Sequence, residues 1–188
     1  MGKLKLQVQI SIDGYIAGPN GEMDWMIWNW DDQLKKHVSE INQSIGTILL
    51  GRKLAEGFIP TWAEMAGNPD TADDFAKKVN ITPKVVFSRT LEQSKWPNTV
   101  VCAGDTIAEI NRLKSQSYTD IIAYGGANFV SGLIKYNLID EYHLFVNPVV
   151  LGRGMSIFNE RDEQLNLTLV NSTAFECGIV ETFFQANL

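Results

Sequence analysis

Residues Asp120 to Val130 constrain this chain more than any other stretch, because they join a buried strand to a helix through two glycines. Ile121 to Tyr124 is a short apolar and aromatic run, the pattern of a strand buried on both faces in a parallel sheet. Gly125 and Gly126 follow, and then Phe129, Val130, Leu133 and Ile134 recur at helical spacing. Glycines at such a junction let backbone amides approach a ligand with no Cβ in the way. The helix start adds unpaired N–H groups and a positive dipole end, which together suit a phosphate. A tight turn explains the same Gly-Gly, so the remaining chain has to decide between the two.

The pattern recurs. Thr47 to Leu50 is a second short apolar strand, and it runs into Gly51-Arg52-Lys53-Leu54, where a helix starts. Two cations in a first helical turn are unfavourable, so a negative group is expected near them. Lys84 to Phe87 is a third buried strand, ending in Ser88-Arg89-Thr90, and Thr99 to Cys102 is a fourth. Leu4 to Ile12 alternates with period two. Asp31-Asp32 opens a helix with a stripe of Leu34, Val38, Ile41 and Ile45, which leaves His37 on the solvent face. Residues 60–83 read as loop and then helix, punctuated by Pro60, Gly67, Asn68 and Pro69, with the helix start at Thr71-Ala72-Asp73-Asp74. Thr106 to Glu109 has capping-box spacing before another helix. After Asp140 the style changes to alternating strands, Asp140–Val150, Leu165–Val170 and Phe175–Ala186, an antiparallel ending to a βα sheet. The expectation is one α/β domain over residues 1–188.

A net charge of −6 and a pI near 4.9 argue against nucleic acid or an anionic membrane as partner. An anion site in such a chain has to be local, and its ligand a small molecule. Cys102 and Cys177 lie far apart in apolar runs, without Cys or His neighbours at metal-ligand spacing, and read as core thiols of a reducing compartment. No apolar run approaches the ~18 residues of a membrane span, and the expected location is the cytoplasm. Asp13 to Gly21 is a glycine-rich loop of the kind that carries function on a rigid scaffold. Trp25, Trp28, Trp30 and Trp62 either wall a pocket for a flat ring or seal an edge of the core.

In a parallel sheet, the ends at Gly51-Arg52, Ser88-Arg89-Thr90 and Gly125-Gly126 lie along one carboxyl edge, where open α/β sheets bind ligands. Two arginines, two helix starts and the Ser88 and Thr90 hydroxyls suit a dinucleotide carrying an extra phosphate. No Gly-x-Gly-x-x-Gly occurs, which disfavours the ordinary dinucleotide fold.

These residues resemble the dihydrofolate reductase superfamily, through the Ile16-Ala17-Gly18 loop, Leu50-Gly51-Arg52-Lys53, Phe87-Ser88-Arg89-Thr90 and Tyr124-Gly125-Gly126-Ala127. Ser11-Ile12-Asp13-Gly14-Tyr15-Ile16-Ala17, Leu138 to Tyr142 and Pro148 to Gly154 are similar to one branch, the reductase domain of riboflavin biosynthesis called the RibD C-terminal domain. The resemblance implies a three-layer α/β/α fold and NADPH-dependent reduction of a small heterocycle, pyrimidine- or pterin-like, or of a carbonyl compound. It implies that Gly51, Arg52, Lys53 and Leu54 meet cofactor phosphates, and that Ser88, Arg89 and Thr90 hold the 2′-phosphate. Gly125, Gly126, Ala127 and Asn128 pass the pyrophosphate in this reading, across a strained Gly-Gly peptide that relatives commonly hold cis. Ile16 and Ala17 meet the nicotinamide, and Trp25, Phe58 and Trp62 are expected around the substrate.

Asp13 is the candidate acid/base, with a turn residue before glycine as the alternative. The branch also implies a homodimer through the strands after residue 140, where Tyr142, Leu144 and Val146 alternate with His143, Phe145 and Asn147. Leu54 stands where dihydrofolate reductases commonly have Thr. Asp31 and Asp32 sit where capping suffices, and no arginine lies between Lys53 and Arg89, which speaks against folate reduction. Nucleotide binding without turnover is the competing reading.

Overall fold

In the computed structural model, which describes residues 1–187, eight strands form one sheet in the order β5-β4-β3-β6-β1-β7-β10-β9. The strands are β1 (Leu4–Ser11), β3 (Ile45–Gly51), β4 (Lys84–Phe87), β5 (Thr99–Cys102), β6 (Asp120–Ala123), β7 (Glu141–Asn147), β9 (Leu167–Ala174) and β10 (Val180–Ala186). A second, two-stranded sheet pairs β2 (Tyr15–Ala17) with β8 (Met155–Ser156). Neighbours from β5 through to β7 are parallel, and β10 runs antiparallel to both β7 and β9. The antiparallel ending therefore begins one strand later than the alternation suggested, because β7 pairs in parallel with β1, Lys5 opposite Glu141.

Among the described residues five helices cover the sheet: α1 (Asp32–Gln43), α2 (Arg52–Gly67), α3 (Asp74–Ile81), α4 (Thr106–Gln116) and α5 (Ala127–Lys135). Leu4, Leu6, Val8 and Ile10 of β1 share one core with Ile110 of α4 and Val130, Leu133 and Ile134 of α5. On the opposite face Ile48, Leu50, Val86 and Ile122 pack under α2 and α3, while Leu34, Val38 and Ile41 of α1 pack on Phe145. This is the three-layer α/β/α arrangement.

The polar positions of β1 are covered too, Gln7 buried and Lys5 and Gln9 half-buried, because α1 and the loop before it lie over them. Gln7 accepts from Asn42 Nδ2 at 3.0 Å, Gln9 accepts from Asn147 Nδ2 at 3.0 Å, and Lys5 Nζ donates to Ser44 Oγ at 3.1 Å. Each buried amide has found a partner, as the cost of leaving one unpaired requires.

Two local expectations change, and one buried residue finds an additional role. α2 runs straight through Pro60, which is exposed, while Phe58, Ile59 and Trp62 on either side are packed into the core and hold the helix together. Ile45 opens β3 rather than continuing α1. Lys84 is buried, with Nζ donating to the carbonyls of Val79, Asn80 and Thr82 at 2.7, 3.0 and 2.8 Å. It thereby caps the end of α3, and burial pushes its pKa down to about 8.

Candidate functional site

The carboxyl ends of β4, β3 and β6 lie side by side, and the helices after β3 and β6 start there. A cleft of about 590 Å³ opens along that edge. It is lined by Gly51 to Leu54 at the start of α2, Gly126 to Phe129 at the start of α5, and Phe87 at the end of β4. Ile16 and Ala17 of β2 and Met155 of β8 form the wall across from them, with Asn20, Gly21 and Met23 from the following loop.

The helix caps sort by position. Asp31, Asp73 and Asp105 cap α1, α3 and α4, each accepting amides of its own first turn, and each of those turns contains a further acidic residue. α2 and α5, the two that open on the cleft, begin at Gly51 and Gly126, with no side-chain cap and no acid in the first turn. Their first amides have no side-chain acceptor, and the positive end of each dipole faces the cleft. Among the described residues lining the cleft, Arg52 and Lys53 are charged and none is acidic.

Gly125 and Gly126 sit at φ +134° and +84°, a region side chains rarely adopt. All peptide bonds among the described residues are trans, so the cis Gly-Gly peptide that the resemblance suggested is absent here. Gly51 is glycine for a different reason. A Cβ there would lie 2.9 Å from Phe129 Cβ, because α5 packs directly against the strand end. Phe129 in turn stacks on Phe87, with ring centroids 5.1 Å apart.

Of the residues anticipated for the cofactor, Ile16, Ala17, Gly51, Arg52, Lys53, Leu54, Gly126, Ala127 and Asn128 line this one cleft, and Gly125 adjoins it. Arg52 donates to Glu56 Oε1 at 2.7 Å, so the next turn of α2 supplies the negative group its position demands. Lys53 has no carboxylate partner among the described residues. Ser88, Arg89 and Thr90 follow Phe87 outside the cleft lining. There the Ser88 hydroxyl accepts the amides of Thr90 and Leu91 at 3.1 and 3.0 Å, leaving Arg89 exposed.

The aromatic side chains expected around the substrate do not line the cleft. Phe58 stacks on Tyr124 with centroids 5.2 Å apart, and Trp62 meets Phe75 edge-on at 5.1 Å, both in the core under α2. Trp25 Nε1 donates to the Glu22 carbonyl at 3.1 Å. Trp62 thus seals the core edge, while Trp28 is exposed and stacked with Trp30. Asn20, Gly21, Met23, Phe87, Phe129 and Met155 line the cleft without having been singled out for it. Phe87 directly precedes Ser88-Arg89-Thr90 and Phe129 lies three residues after Gly126, which was the available clue.

Asp13 stands outside the cleft. Its carboxylate accepts from the Ser11 hydroxyl at 2.7 Å and from the amides of Leu151 and Gly152 at 3.1 and 2.7 Å. Those donors, Ser11 first, hold it below the usual carboxylate range. Its contacts are those of the alternative expectation, a turn residue whose carboxylate accepts from its neighbours.

Residues 2–181 match the RibD C-terminal domain family. This chain belongs to that family. A Bacillus subtilis protein, YyaP, itself uncharacterized, is 35% identical over 189 residues, covering 98% of this chain and 95% of that one. A putative riboflavin biosynthesis protein from Shewanella superposes with a TM-score of 0.74 at 19% identity, over 100% of both chains. The Thermotoga maritima diaminohydroxyphosphoribosylaminopyrimidine deaminase/5-amino-6-(5-phosphoribosylamino)uracil reductase superposes with a TM-score of 0.69 at 16% identity. There the match covers 98% of this chain and 56% of that one. At these identities the two structures establish a shared fold. No helix among the described residues of this RibD C-terminal domain is long and apolar enough to cross a membrane.

Proposed function

We propose that this chain is an NADPH-dependent reductase of a small heterocyclic or carbonyl compound, similar in reaction to 5-amino-6-(5-phosphoribosylamino)uracil reduction. One observation carries the reading. Of the five helices among the described residues, the two that open on the cleft lack both a side-chain cap and a first-turn acid, and the cleft's described charged lining is cationic alone. In a chain of net charge −6 that arrangement fits a bound anion of dinucleotide size.

In this reading Gly51 to Leu54 and Gly125 to Asn128 hold the pyrophosphate. Ser88, Arg89 and Thr90 answer the 2′-phosphate further along the same edge, and Ile16 and Ala17 meet the nicotinamide. When bound, that cofactor supplies the hydride. The chain's own part is to bind, orient and exclude water.

A second reading, NADPH binding without turnover, is favoured by the absence of carboxylic acids and histidines among the described lining residues, which leaves the proton to solvent. Titrating the protein with NADPH and NADH, then following NADPH oxidation with pyrimidine, pterin and simple carbonyl substrates, separates the readings. Binding with turnover supports the reductase, and binding without turnover across the panel supports the second. No dinucleotide binding refutes both.

The proposed assembly is a homodimer. β7 itself is interior and covered on both faces, so its alternating side chains are not the surface that needs a cover. The open apolar surface instead lies on β9 and β10, where Leu169 and Val180 are exposed beside half-buried Phe184. A second copy is the proposed cover. Sedimentation as a monomer at micromolar concentration refutes it.

A further inference from the structure

The β1–β2 turn and the loop after β7 meet at a single carboxylate. Asp13 Oδ1 accepts from Ser11 Oγ at 2.7 Å and from the Leu151 amide at 3.1 Å, and Oδ2 accepts from the Gly152 amide at 2.7 Å. The Ser11 hydroxyl in turn accepts the amide of Tyr15, the first residue of β2, at 3.0 Å. Ile12 N donates to the Val149 carbonyl at 2.9 Å beside them. Downstream of this knot the same two segments pair as β2 and β8, Tyr15 opposite Ser156 and Ala17 opposite Met155. They pack with no slack, since a Cβ on Gly154 would lie 2.4 Å from the Ala17 carbonyl oxygen. Ile16, Ala17 and Met155 are the cleft wall facing the two helix starts.

We propose that Asp13 is a positioning residue, whose carboxylate fixes the register of β2 against β8 and thereby sets the affinity of the cleft for its dinucleotide. The inference rests on the cofactor reading above. Asp13 is exposed and touches no part of the cleft, so it acts through the two loops. When the carboxylate is removed, water can take up the Leu151 and Gly152 amides, and global stability changes little. What is lost is the single arrangement of the wall, and ordering that wall is then left to the ligand. The Ser11 hydroxyl and the two amides hold the carboxyl below its ordinary range, so it is ionised throughout the neutral region and serves as an acceptor only.

Asp13→Ala and Asp13→Asn test this, with NADPH titrated by fluorescence and backbone hydrogen exchange measured on the free proteins. Asp13→Ala is expected to weaken NADPH about tenfold with a melting temperature close to wild type. Asp13→Asn is expected to lose less, because its one remaining oxygen, lying where Oδ1 or Oδ2 does now, keeps the amide bond that oxygen makes. Exchange should quicken in residues 148–154 and in residues 15–17 together. Quickening in the first segment alone overturns the coupling.

Equal NADPH affinity in wild type and Asp13→Ala overturns the positioning role while leaving the cofactor reading intact. A wild type that binds no dinucleotide removes the cofactor reading and this proposal with it. If turnover is found, the pH profile of Asp13→Asn should keep its shape. Loss of a limb would make Asp13 a catalytic acid and overturn the proposal. Should Asp13→Ala fail to fold, Ser11→Ala cuts the relay between Asp13 and Tyr15, and unchanged NADPH binding in that variant overturns the proposal equally.

Discussion

Glu181 is 1% exposed on β10 and stands between two histidines, accepting from His143 Nδ1 at 2.8 Å and lying 2.7 Å from His37 Nε2 on α1. Replacing it with Gln keeps the shape and the capacity to hydrogen-bond but removes the charge. Charge-assisted bonds exceed neutral ones by roughly 1 kcal/mol each, so two of them make Glu181→Gln cost about 2 kcal/mol. For a chain of this length that is a melting-temperature loss of about 4–8 °C.

The sign with pH follows from both partners. Burial works against ionisation of Glu181, but His143 and His37 outweigh it and hold the carboxyl below its ordinary 4.5. Its contribution is therefore present above 4.5 and lost as pH falls through the lower folded value. Burial also opposes the His143 imidazolium, yet Glu141 and Glu181 override it and raise the pKa above 6.5. That contribution is complete below 6.5 and lost as pH rises through the raised value. The gap between wild type and Glu181→Gln should then be widest near pH 5.5 and narrower at pH 3.5 and pH 9. Thermal melts across that range check it. A gap that is flat with pH, or wider at pH 9 than at 5.5, refutes the reasoning.

Arg89→Ala should reduce the preference for NADPH over NADH about tenfold, since each charge-assisted bond to the extra phosphate is worth roughly 1.5–3 kcal/mol. Equal loss for both cofactors in a titration would make Arg89 structural. Gly126→Ala has ordinary clearance to Leu54 Cβ at 3.7 Å but strains a φ of +84°, so about 1–3 kcal/mol of stability and weaker NADPH binding are expected together. Gly51→Ala has an ordinary φ of −73° but drives its Cβ to 2.9 Å from Phe129, so a similar loss arises from packing. Wild-type melting and binding in either variant contradicts its account. Glu141 is held at about 2 by His143 beside it and by Lys3 at 2.6 Å. Because Lys3 is half exposed, Glu141→Gln should cost about 1–2 kcal/mol above pH 4.5, a difference that disappears in acid melts as pH falls through about 2.

The carboxyl edge was legible because its signals are local. A short apolar run ending in glycine and opening a helix declares a parallel strand and the helix start beyond it within ten residues, and Thr47 to Leu54 and Ile121 to Val130 both do so. What stayed hidden depends on partners far along the chain. His37 reads as a solvent-facing residue of α1 because its partner Glu181 is 144 positions away. Asp140 to Val150 reads as part of the antiparallel ending with apolar groups on both sides, because the helix and strands that cover β7, α1, β1 and β10, flank it only after folding. Phe58 and Trp62 read as pocket walls for the same reason, since composition cannot say which side of α2 faces Tyr124 and Phe75. The Pro60 signal was real, but tertiary packing on both sides overrode it.

The site in an acidic chain is built as much by omission as by addition. Asp31, Asp73 and Asp105 show how this sequence ordinarily starts a helix, and each consumes the amides and dipole that an anion would use. Gly51 and Gly126 depart from that habit on the same edge, and both departures are compelled locally, one by Phe129 and one by a positive φ. Placing an Asp at either position would therefore do two separable things. It would add a carboxylate to a cleft whose described lining has none, and it would strain a backbone or a packing contact. Comparing Asp with Ala at Gly126 isolates the first effect, because both carry the Cβ and only one carries the charge. If the cleft holds a phosphate, Gly126→Asp binds NADPH more weakly than Gly126→Ala, and added salt narrows the difference. If the two bind alike, the open helix starts are a consequence of packing, and the anion reading of this edge fails.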